Sequence, residues 1–316
     1  MTDQNDSTQH WTNLWRTGVL HSSSVSSIND NYDGETADFW NMQFESLTAG
    51  DRIVDLGTGN GAVLLLAKKH HAPFELHGVD SASIDPGTDT GATNHDYKGI
   101  VFHPDCSMSR LPFADGSAQL VTSQFAFEYA HRELALAEVL RITDPAHGRI
   151  AMILHSTDSE ISKMSELQLE AFHFVFDELD IVRKALLLAD ALNLSDGHAD
   201  LRDKYRLAFN DAAAQLMSRV ATADHAPMLD TVYTLLRRAM STLSSSPADS
   251  VKLLRATDIQ MRSERQRLLE MQRAAQTAQQ LHALEQLLVE EGLGVSIAPH
   301  LQQGSKMGWE LVACRA

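Results

Sequence analysis

Three alternating glycines form the part of the sequence best suited to binding a ligand. Gly57, Gly59 and Gly61 follow the apolar run RIV and precede a stretch with helical character. A glycine-rich turn from a strand into a helix lets the backbone approach a ligand closely. Read as Gly57, Gly59 and Ala62, the turn fits the loose dinucleotide fingerprint GxGxxG/A. Asp80 ends the next predicted strand, where a carboxylate can hold two ribose hydroxyls. A dinucleotide, a phosphate or another nucleoside ligand could therefore bind there.

Two further carboxylates favour a nucleoside that carries an amino acid. Asp55 ends the first predicted strand, two residues before Gly57. Its negative charge would repel a pyrophosphate but would attract an ammonium group, directly or through water. Asp105 follows the third predicted strand, where its carboxylate can accept a hydrogen bond from an adenine amine. The acidic stretch SQFAFEYAHRE after the fourth strand has no phosphate-binding character.

The elements that must position these residues alternate between strands and helices. The predicted strands are RIVDLG, FELHGVD, GIVFHPD, AQLVTSQ and GRIAMILHS, and the predicted helices between them include AVLLLAKKHH and RELALAEVLRIT. This rhythm predicts a parallel sheet covered on both faces, with ligands bound at the carboxyl ends of the strands. Residues 81–99 are poor in apolar positions and are expected to form mostly loop.

After the fifth strand the pattern becomes helical, and residues 158–291 show almost only helical periodicity. The run FHFVF within them could line an apolar pocket, but Phe172 and Phe176 are spaced i and i+4, which favours packing against neighbouring helices. The stretch from SVKLL to VEEG reads as one long helix, and the final LGVSIAPHL and MGWELVACRA return to strand-like alternation.

The predicted fold class is α/β, a Rossmann-like doubly wound sheet with an antiparallel last strand, interrupted by a large all-helical insertion after strand five. Its predicted parts are a flexible or lid segment at 1–30, the α/β core at 31–157, the helical insertion at 158–275, and a last helix with a hairpin at 276–316. The insertion is expected to act as a substrate cap or as a dimerisation surface.

Composition excludes several classes of function. The chain has 26 Lys and Arg against 42 Asp and Glu, a formal net charge of −16. This balance disfavours binding to nucleic acid or to an anionic membrane, which needs clustered cations. Cys106 and Cys314 stand far apart without a CxxC motif, so neither a disulfide framework nor a thiolate metal site is expected. The polar, acidic N-terminus lacks the pattern of a signal peptide, and a cytoplasmic protein is expected.

At these motifs the sequence resembles the class I S-adenosylmethionine-dependent methyltransferases. VDLGTGNG resembles their first motif, GVD the second, HPDCSMSRLPFADGSAQLVTSQFAFEYA the third and fourth, and GWELVACR their antiparallel last strand. The resemblance covers residues 30–155 well and 276–316 moderately, and it does not extend to the helical region between them. It implies S-adenosylmethionine as cofactor and methyl transfer to a small-molecule acceptor, at oxygen ahead of nitrogen.

The resemblance also implies roles for individual residues. The methionine moiety would be lined by Asp55, Gly57, Gly59 and Gly61, and the ribose would be bound by Asp80. The adenine would lie between Asp105 and Cys106, and the sulfonium and substrate mouth would lie beside Ser123, Gln124 and Phe125. Tyr32 matches the place where related enzymes close the cofactor pocket with an N-terminal segment.

A general base would help if the acceptor is a hydroxyl or an ammonium group. The candidates at the expected active edge are Glu128, Tyr129 and His131 after strand four and His155 after strand five, and His131, at a predicted helix start, is expected to be solvated. Each has a simpler alternative: Glu128 could cap the next helix, Tyr129 could be a packing aromatic, and His155 could lie away from the substrate. The fifteen histidines include no HExxH motif, so no metal is expected.

Two alternatives from other classes remain open. A non-catalytic chain could keep the cofactor fold and use the insertion to bind a partner protein, and the insertion could equally form a homodimer contact. An NAD-dependent oxidoreductase would rest on Gly57, Gly59, Ala62 and Asp80 alone, and Asp55 should oppose its dinucleotide.

Overall fold

The computed structural model describes residues 8–22, 30–87, 96–192, 194, 198–222, 226–243 and 245–315. The chain divides into two compact units, one made of Met1–Ser162 with Glu270–Ala316 and the other of Lys163–Leu269. Parts of the predicted N-terminal segment at 1–30 and of the predicted loop at 81–99 lie outside the described residues. Across the described ranges, the helices are all too short or too polar to cross a membrane.

The first unit is built on a mixed sheet of seven strands. The strands are β1 Arg52–Leu56, β2 Glu75–Val79, β3 Ile100–His103, β4 Leu120–Gln124, β5 Arg149–Leu154, β6 Leu293–Gln302 and β7 Ser305–Arg315. Their order is β3-β2-β1-β4-β5-β7-β6. The first five strands pair in parallel, whereas β7 runs antiparallel to both β5 and β6. This arrangement confirms the predicted fold class.

Helices precede, separate and follow these strands. They are α1 Gln9–Trp15, α2 Gly34–Phe44, α3 Ala62–Lys68, α4 Arg132–Ile142, α5 Glu160–His173, α6 Ile181–Leu192, α7 Ala199–Val220, α8 Pro227–Thr242, α9 Pro247–Ala274 and α10 Ala278–Glu290. A single 3-10 turn, Phe127–Tyr129, follows β4.

The central strands are buried on both faces, as strands of a parallel sheet usually are. Successive side chains of a strand point to opposite faces. Accordingly Ile53 joins the apolar cluster that includes Phe39 and Trp40 of α2. Its neighbour Val54 joins the cluster that includes Leu284 of α10 and residues of α4. The sheet is therefore covered on both sides, and its carboxyl edge is free to form a site.

The second unit is helical and has its own apolar core. Phe172 and Phe176 lie fully or almost fully inside this core with their rings stacked at 6.0 Å between centroids, so the structure supports the packing alternative. The helical run is less regular than its sequence predicts. A π-helical segment, Phe174–Glu178, follows α5, and Asp180 adopts φ +48° before α6 begins.

The long helix predicted from SVKLL to VEEG is wrong in one respect, because the chain forms two helices there. α9 ends at Ala274, and α10 begins after Thr277. The hydroxyl of Thr277 accepts a hydrogen bond from the backbone N–H of Gln280, whose side chain accepts one from the backbone N–H of Thr277. This reciprocal capping box satisfies amides that a helix start would leave unpaired, and it stabilises the new start.

Candidate functional site

A cavity of about 380 Å³ lies at the carboxyl edge of the sheet in the first unit. It is where ligands bind in open α/β sheets, because loops that follow neighbouring parallel strands meet there. The residues of the predicted site that line it are Tyr32, Asp55, Gly57, Asp80, Asp105, Gln124, Phe125 and Tyr129. Five of these residues, three carboxylates, one amide and one glycine, lie at or just after the ends of β1, β2, β3 and β4, as the strand pattern predicts.

The glycine turn is shaped by close backbone contacts. Gly57 adopts φ +66°, and a Cβ placed on it would lie 2.2 Å from the Cβ of Ala126. Its backbone N–H donates to the carbonyl of Val79 at 2.8 Å. Glycine is required at this position, because any other residue would be strained at this positive φ and its Cβ would clash with Ala126. The turn therefore brings the end of β1 against the loop that follows β4.

Asp80 is buried and held by two backbone amides. Its Oδ2 accepts the N–H of Gly59, and its Oδ1 accepts the N–H of Ala82, each at 2.8 Å. Burial raises the pKa of Asp80 to about 6, although both hydrogen bonds lower it, and the charge of Asp105 raises it further. Because each carboxylate oxygen can accept more than one hydrogen bond, Asp80 retains acceptor capacity toward the cavity.

Asp55 is also buried, and no cation pairs with it among the described residues. The Thr122 hydroxyl donates to Asp55 Oδ1 at 2.8 Å. Burial raises the pKa of Asp55 to about 7, while the nearby Thr58 hydroxyl and the Thr122 hydrogen bond lower it and the Asp80 charge raises it. Burial and the Asp55 charge together raise the pKa of Tyr32. A buried carboxylate on a cavity wall without a cationic partner suits a positively charged ligand group.

Helix α1 covers the glycine turn, which the sequence did not reveal. A Cβ on Gly59 would lie 2.6 Å from the Trp15 ring, so this indole packs directly on the turn. Asn60 Nδ2 donates to the carbonyls of Trp15 at 2.9 Å and of Val19 at 2.7 Å. The Trp11 and Trp15 rings stack at 6.2 Å, as their i and i+4 spacing suggests. In the sequence, the feature that could have indicated this contact is Asn60, a polar residue between two glycines of the turn.

Glu128 and His155 form a buried pair beside the cavity. Glu128 Oε1 accepts the backbone N–H of His155 and lies 2.7 Å from its ring Nδ1. Glu128 Oε2 is buried without a partner among the described residues. Neither side chain lines the cavity, but the His155 ring contacts Phe125 at 4.4 Å and Tyr129 at 5.8 Å, which do. Glu128 does not cap α4, whose N-cap residue is His131.

Four predicted cofactor residues are not in the cavity wall. Gly59 faces Trp15, and Gly61, at φ +78°, faces Phe102 and begins α3. The Ser123 hydroxyl donates to the Leu56 carbonyl at 3.1 Å and accepts the N–H of Phe127 at 3.0 Å. The remaining residue is Cys106, which donates its backbone N–H to the Asp80 carbonyl at 2.8 Å. These residues hold the loops that carry the lining side chains.

Potential metal ligands are dispersed. Within the ranges that the structure describes, no group of three or more His, Cys, Asp and Glu side chains is arranged to hold a metal ion. His77 Nδ1 and His103 Nε2 lie 3.1 Å apart on β2 and β3, and His77 Nε2 lies 2.9 Å from Glu75, but this pairing is a hydrogen-bond chain on the sheet.

Comparison with known proteins gives one family match. Residues 54–151 match the model of a methyltransferase domain. Among curated proteins, the chain is 33% identical over 107 residues to a demethylmenaquinone methyltransferase of Thermus thermophilus, covering 33% of this chain and 47% of the relative. It is 33% identical over 109 residues to the demethylmenaquinone methyltransferase of Beutenbergia cavernae, covering 34% of this chain and 42% of the relative. The chain thus spans less than half the length of these relatives.

Solved structures give weaker likenesses. The phosphoethanolamine N-methyltransferase 2 of Haemonchus contortus aligns with a TM-score of 0.40 at 12% identity, covering 100% of this chain and 60% of that one. The geranyl diphosphate C-methyltransferase of Streptomyces coelicolor aligns with a TM-score of 0.35 at 15% identity, covering 49% of this chain and 66% of that one.

The family match begins within β1 and ends halfway along β5, so it contains β2, β3 and β4 and the loops after β1 to β4 that line the cavity. It coincides with the segment in which the sequence motifs lie. The match confirms, for residues 54–151, the resemblance to the class I S-adenosylmethionine-dependent methyltransferases, a family whose cofactor is S-adenosylmethionine.

Proposed function

We propose that the chain transfers a methyl group from S-adenosylmethionine to a small-molecule acceptor bound in the same cavity, at oxygen ahead of nitrogen. The observation that carries this proposal is Asp55, a buried carboxylate on the cavity wall that no cation neutralises among the described residues. It lies beside Gly57, whose positive φ turns the backbone toward the cavity. A ligand with an ammonium group would supply the missing charge.

The other lining residues fit the remaining parts of this cofactor. Asp80 is fixed by two amides and keeps lone pairs for ribose hydroxyls. Asp105 lines the same cavity after β3 and can accept from an adenine amine. Bound S-adenosylmethionine supplies an activated methyl group, so the chain mainly has to align the acceptor and exclude water. Trp15 packs on the glycine turn and covers it on that side.

In this proposal His155, held in place by Glu128, accepts the proton that the methyl acceptor loses. Glu128 holds the His155 ring through Nδ1, which leaves Nε2 available as the proton acceptor. Glu128 is thus a positioning residue, and the His155 ring contacts Phe125 and Tyr129, which line the cavity. For this transfer the acceptor hydroxyl, or one water bound to it, must reach Nε2 past these two rings. A base held by a carboxylate in this way suits a hydroxyl acceptor, since a hydroxyl must lose its proton on methylation.

Calorimetric titration of the purified chain with S-adenosylhomocysteine and, in parallel, with NADH tests the proposal. Micromolar binding of the first and no binding of the second supports it. The opposite result would favour the oxidoreductase alternative, and turnover of labelled S-adenosylmethionine with an acceptor would remove the non-catalytic alternative. Asp55→Asn is the matched variant, because it keeps the shape of the side chain and removes only its charge.

The acceptor itself needs a screen. Demethylmenaquinone, which the names of both curated relatives contain, belongs in the first set of acceptors tested. The lining residues of the cavity all come from the first unit, since they fall between Thr8 and His131. A role for the helical insertion as a substrate cap or as a homodimer contact stays a prediction.

A further inference from the structure

The walls of the cavity carry negative and neutral groups. Three carboxylates line it, those of Asp55, Asp80 and Asp105, and the described lining residues include no Lys or Arg. The stretches outside the described residues in the first unit, at 1–7, 23–29, 88–95 and 316, contain no Lys or Arg either. A phosphate or carboxylate group on an acceptor is normally bound by such cations. This cavity lacks the side chains for that task.

Arg16, Arg110 and Arg132 each stand next to a lining residue in the sequence, but none of the three is among the described residues that line the cavity. Arg132, next to the lining residue His131, donates to the side chain of Gln276 and to the carbonyl of Gln280. Arg110, next to the lining residue Ser109, is exposed and contributes to the low pKa of Glu138. Neither guanidinium group is part of the cavity wall.

Backbone amides and imidazoles offer little to an anion either. The N–H of Gly59, at the turn where a phosphate would bind in other nucleotide folds, is donated to Asp80. Burial lowers the pKa of His21 to about 4, so this lining imidazole is neutral at physiological pH. His131 is exposed at the rim.

Aromatic rings form one wall of the cavity. We call Trp11, Phe125 and Tyr129 the aromatic wall. Trp11 and Tyr129 meet edge to face, with centroids 5.6 Å apart and planes at 89°. The Trp11 indole N–H donates to Glu270 Oε2 at 3.1 Å, which fixes the orientation of its ring. Because that N–H is engaged, Trp11 offers a ligand its ring and not a hydrogen-bond donor.

We propose that the methyl acceptor is an uncharged aromatic compound whose ring packs on the aromatic wall, and that Trp11 is a specificity-determining residue. This inference rests on the proposed methyltransferase function. Fixed aromatic faces favour flat rings. The three carboxylates and the missing cations disfavour a ring that carries a phosphate or a carboxylate.

The test compares two probes that share one ring. Calorimetric titration at pH 8, where exposed imidazoles are neutral, measures 2-naphthol and 2-naphthyl phosphate binding to the full chain saturated with S-adenosylhomocysteine. We expect 2-naphthol to bind at least about tenfold more tightly than the phosphate. Equal or tighter binding of 2-naphthyl phosphate overturns the proposal, and so does the absence of 2-naphthol binding.

Two variants test the role of Trp11. Trp11→Ala is expected to weaken 2-naphthol binding about tenfold, because the ring face is lost. Trp11→Phe keeps an aromatic face and is expected to restore most of the affinity. Unchanged 2-naphthol affinity in Trp11→Ala overturns the assignment. Binding of S-adenosylhomocysteine is measured on each sample first. If the wild type does not bind it, the proposed function is wrong. If the wild type binds it but prefers 2-naphthyl phosphate to 2-naphthol, only this inference is wrong.

Discussion

Glu128 Oε1 lies 2.7 Å from both the backbone nitrogen and the ring Nδ1 of His155. An ionised carboxylate can only accept hydrogen bonds, so the imidazole proton is on Nδ1 and the lone pair of the neutral ring is on Nε2. This relationship, between residues 27 positions apart, fixes the tautomer of the histidine.

We expect His155→Gln to lower kcat by about 10²–10⁴-fold if His155 receives the acceptor's proton, as general bases typically contribute that much. Binding of S-adenosylhomocysteine should change little, since His155 does not line the cavity. The measurement is kcat and KM as functions of pH, together with calorimetry on the same samples. Glu128→Gln should lower kcat less and should shift the ring tautomer seen by nitrogen NMR. A kcat within twofold of the wild type in His155→Gln would exclude this role.

Cofactor affinity should depend on pH through Asp55. Burial raises its pKa to about 7, so the carboxylate is largely protonated at pH 6 and ionised at pH 8. Because only the ionised form attracts an ammonium group, the affinity for S-adenosylhomocysteine should increase as pH rises through 7, by up to about tenfold per pH unit below that value. Calorimetry between pH 6.5 and 8 measures this on the wild type.

Asp55→Asn provides the control for this dependence. The variant should bind weakly with an almost flat pH profile over the same range, because its side chain has no proton to release. Asp80, whose pKa is raised to about 6, contributes only at the acidic end. An equally steep profile in Asp55→Asn would show that another group is responsible.

Gly57→Ala should disrupt the site more than its backbone strain alone predicts. The added Cβ would lie 2.2 Å from the Ala126 Cβ, in addition to the strain of φ +66°. Gly50 is the matched control, since it has φ +90° and open space around the position of a Cβ. Gly50→Ala should cost about 1–2 kcal/mol of unfolding free energy, and Gly57→Ala more. Urea denaturation measures both, and equal losses would mean that the contact with Ala126 is relieved without cost.

Several parts of the fold and the site follow from local sequence patterns. Buried strands are short apolar runs, and carboxylates at their ends must gather at one edge of a parallel sheet. This reasoning places Asp55, Asp80 and Asp105 in one cavity, as the structure does. The final hairpin also follows from alternation, with β6 and β7 joined at 302–305.

Contacts between distant segments did not follow from the sequence. The pairing of Glu128 with His155 depends on the backbone conformation of the segments that follow β4 and β5, which hydrophobic periodicity does not specify. The helical periodicity runs through the break before α10, because the Thr277 capping box lies within an otherwise continuous helical pattern, although the predicted division at 275/276 falls beside it. Trp15 over Gly59 was missed because a short helix can pack in many places until its partners are known.

Attachment of α1 to the glycine turn should depend on Asn60. Its amide donates to the carbonyls of Trp15 and Val19, and Asn60→Ala leaves both without this donor. The loss should cost about 1–3 kcal/mol, since the carbonyls of Trp15 and Val19 each lose a buried hydrogen-bond donor. We expect the affinity for S-adenosylhomocysteine to fall about tenfold or more and cleavage by protease near residue 17 to become faster. Asn41→Ala, on the exposed side of α2, is the matched control and should leave both unchanged. If Asn60→Ala left the cleavage rate and the affinity at wild-type values, packing of Trp15 on Gly59 would be sufficient to hold α1 over the cavity.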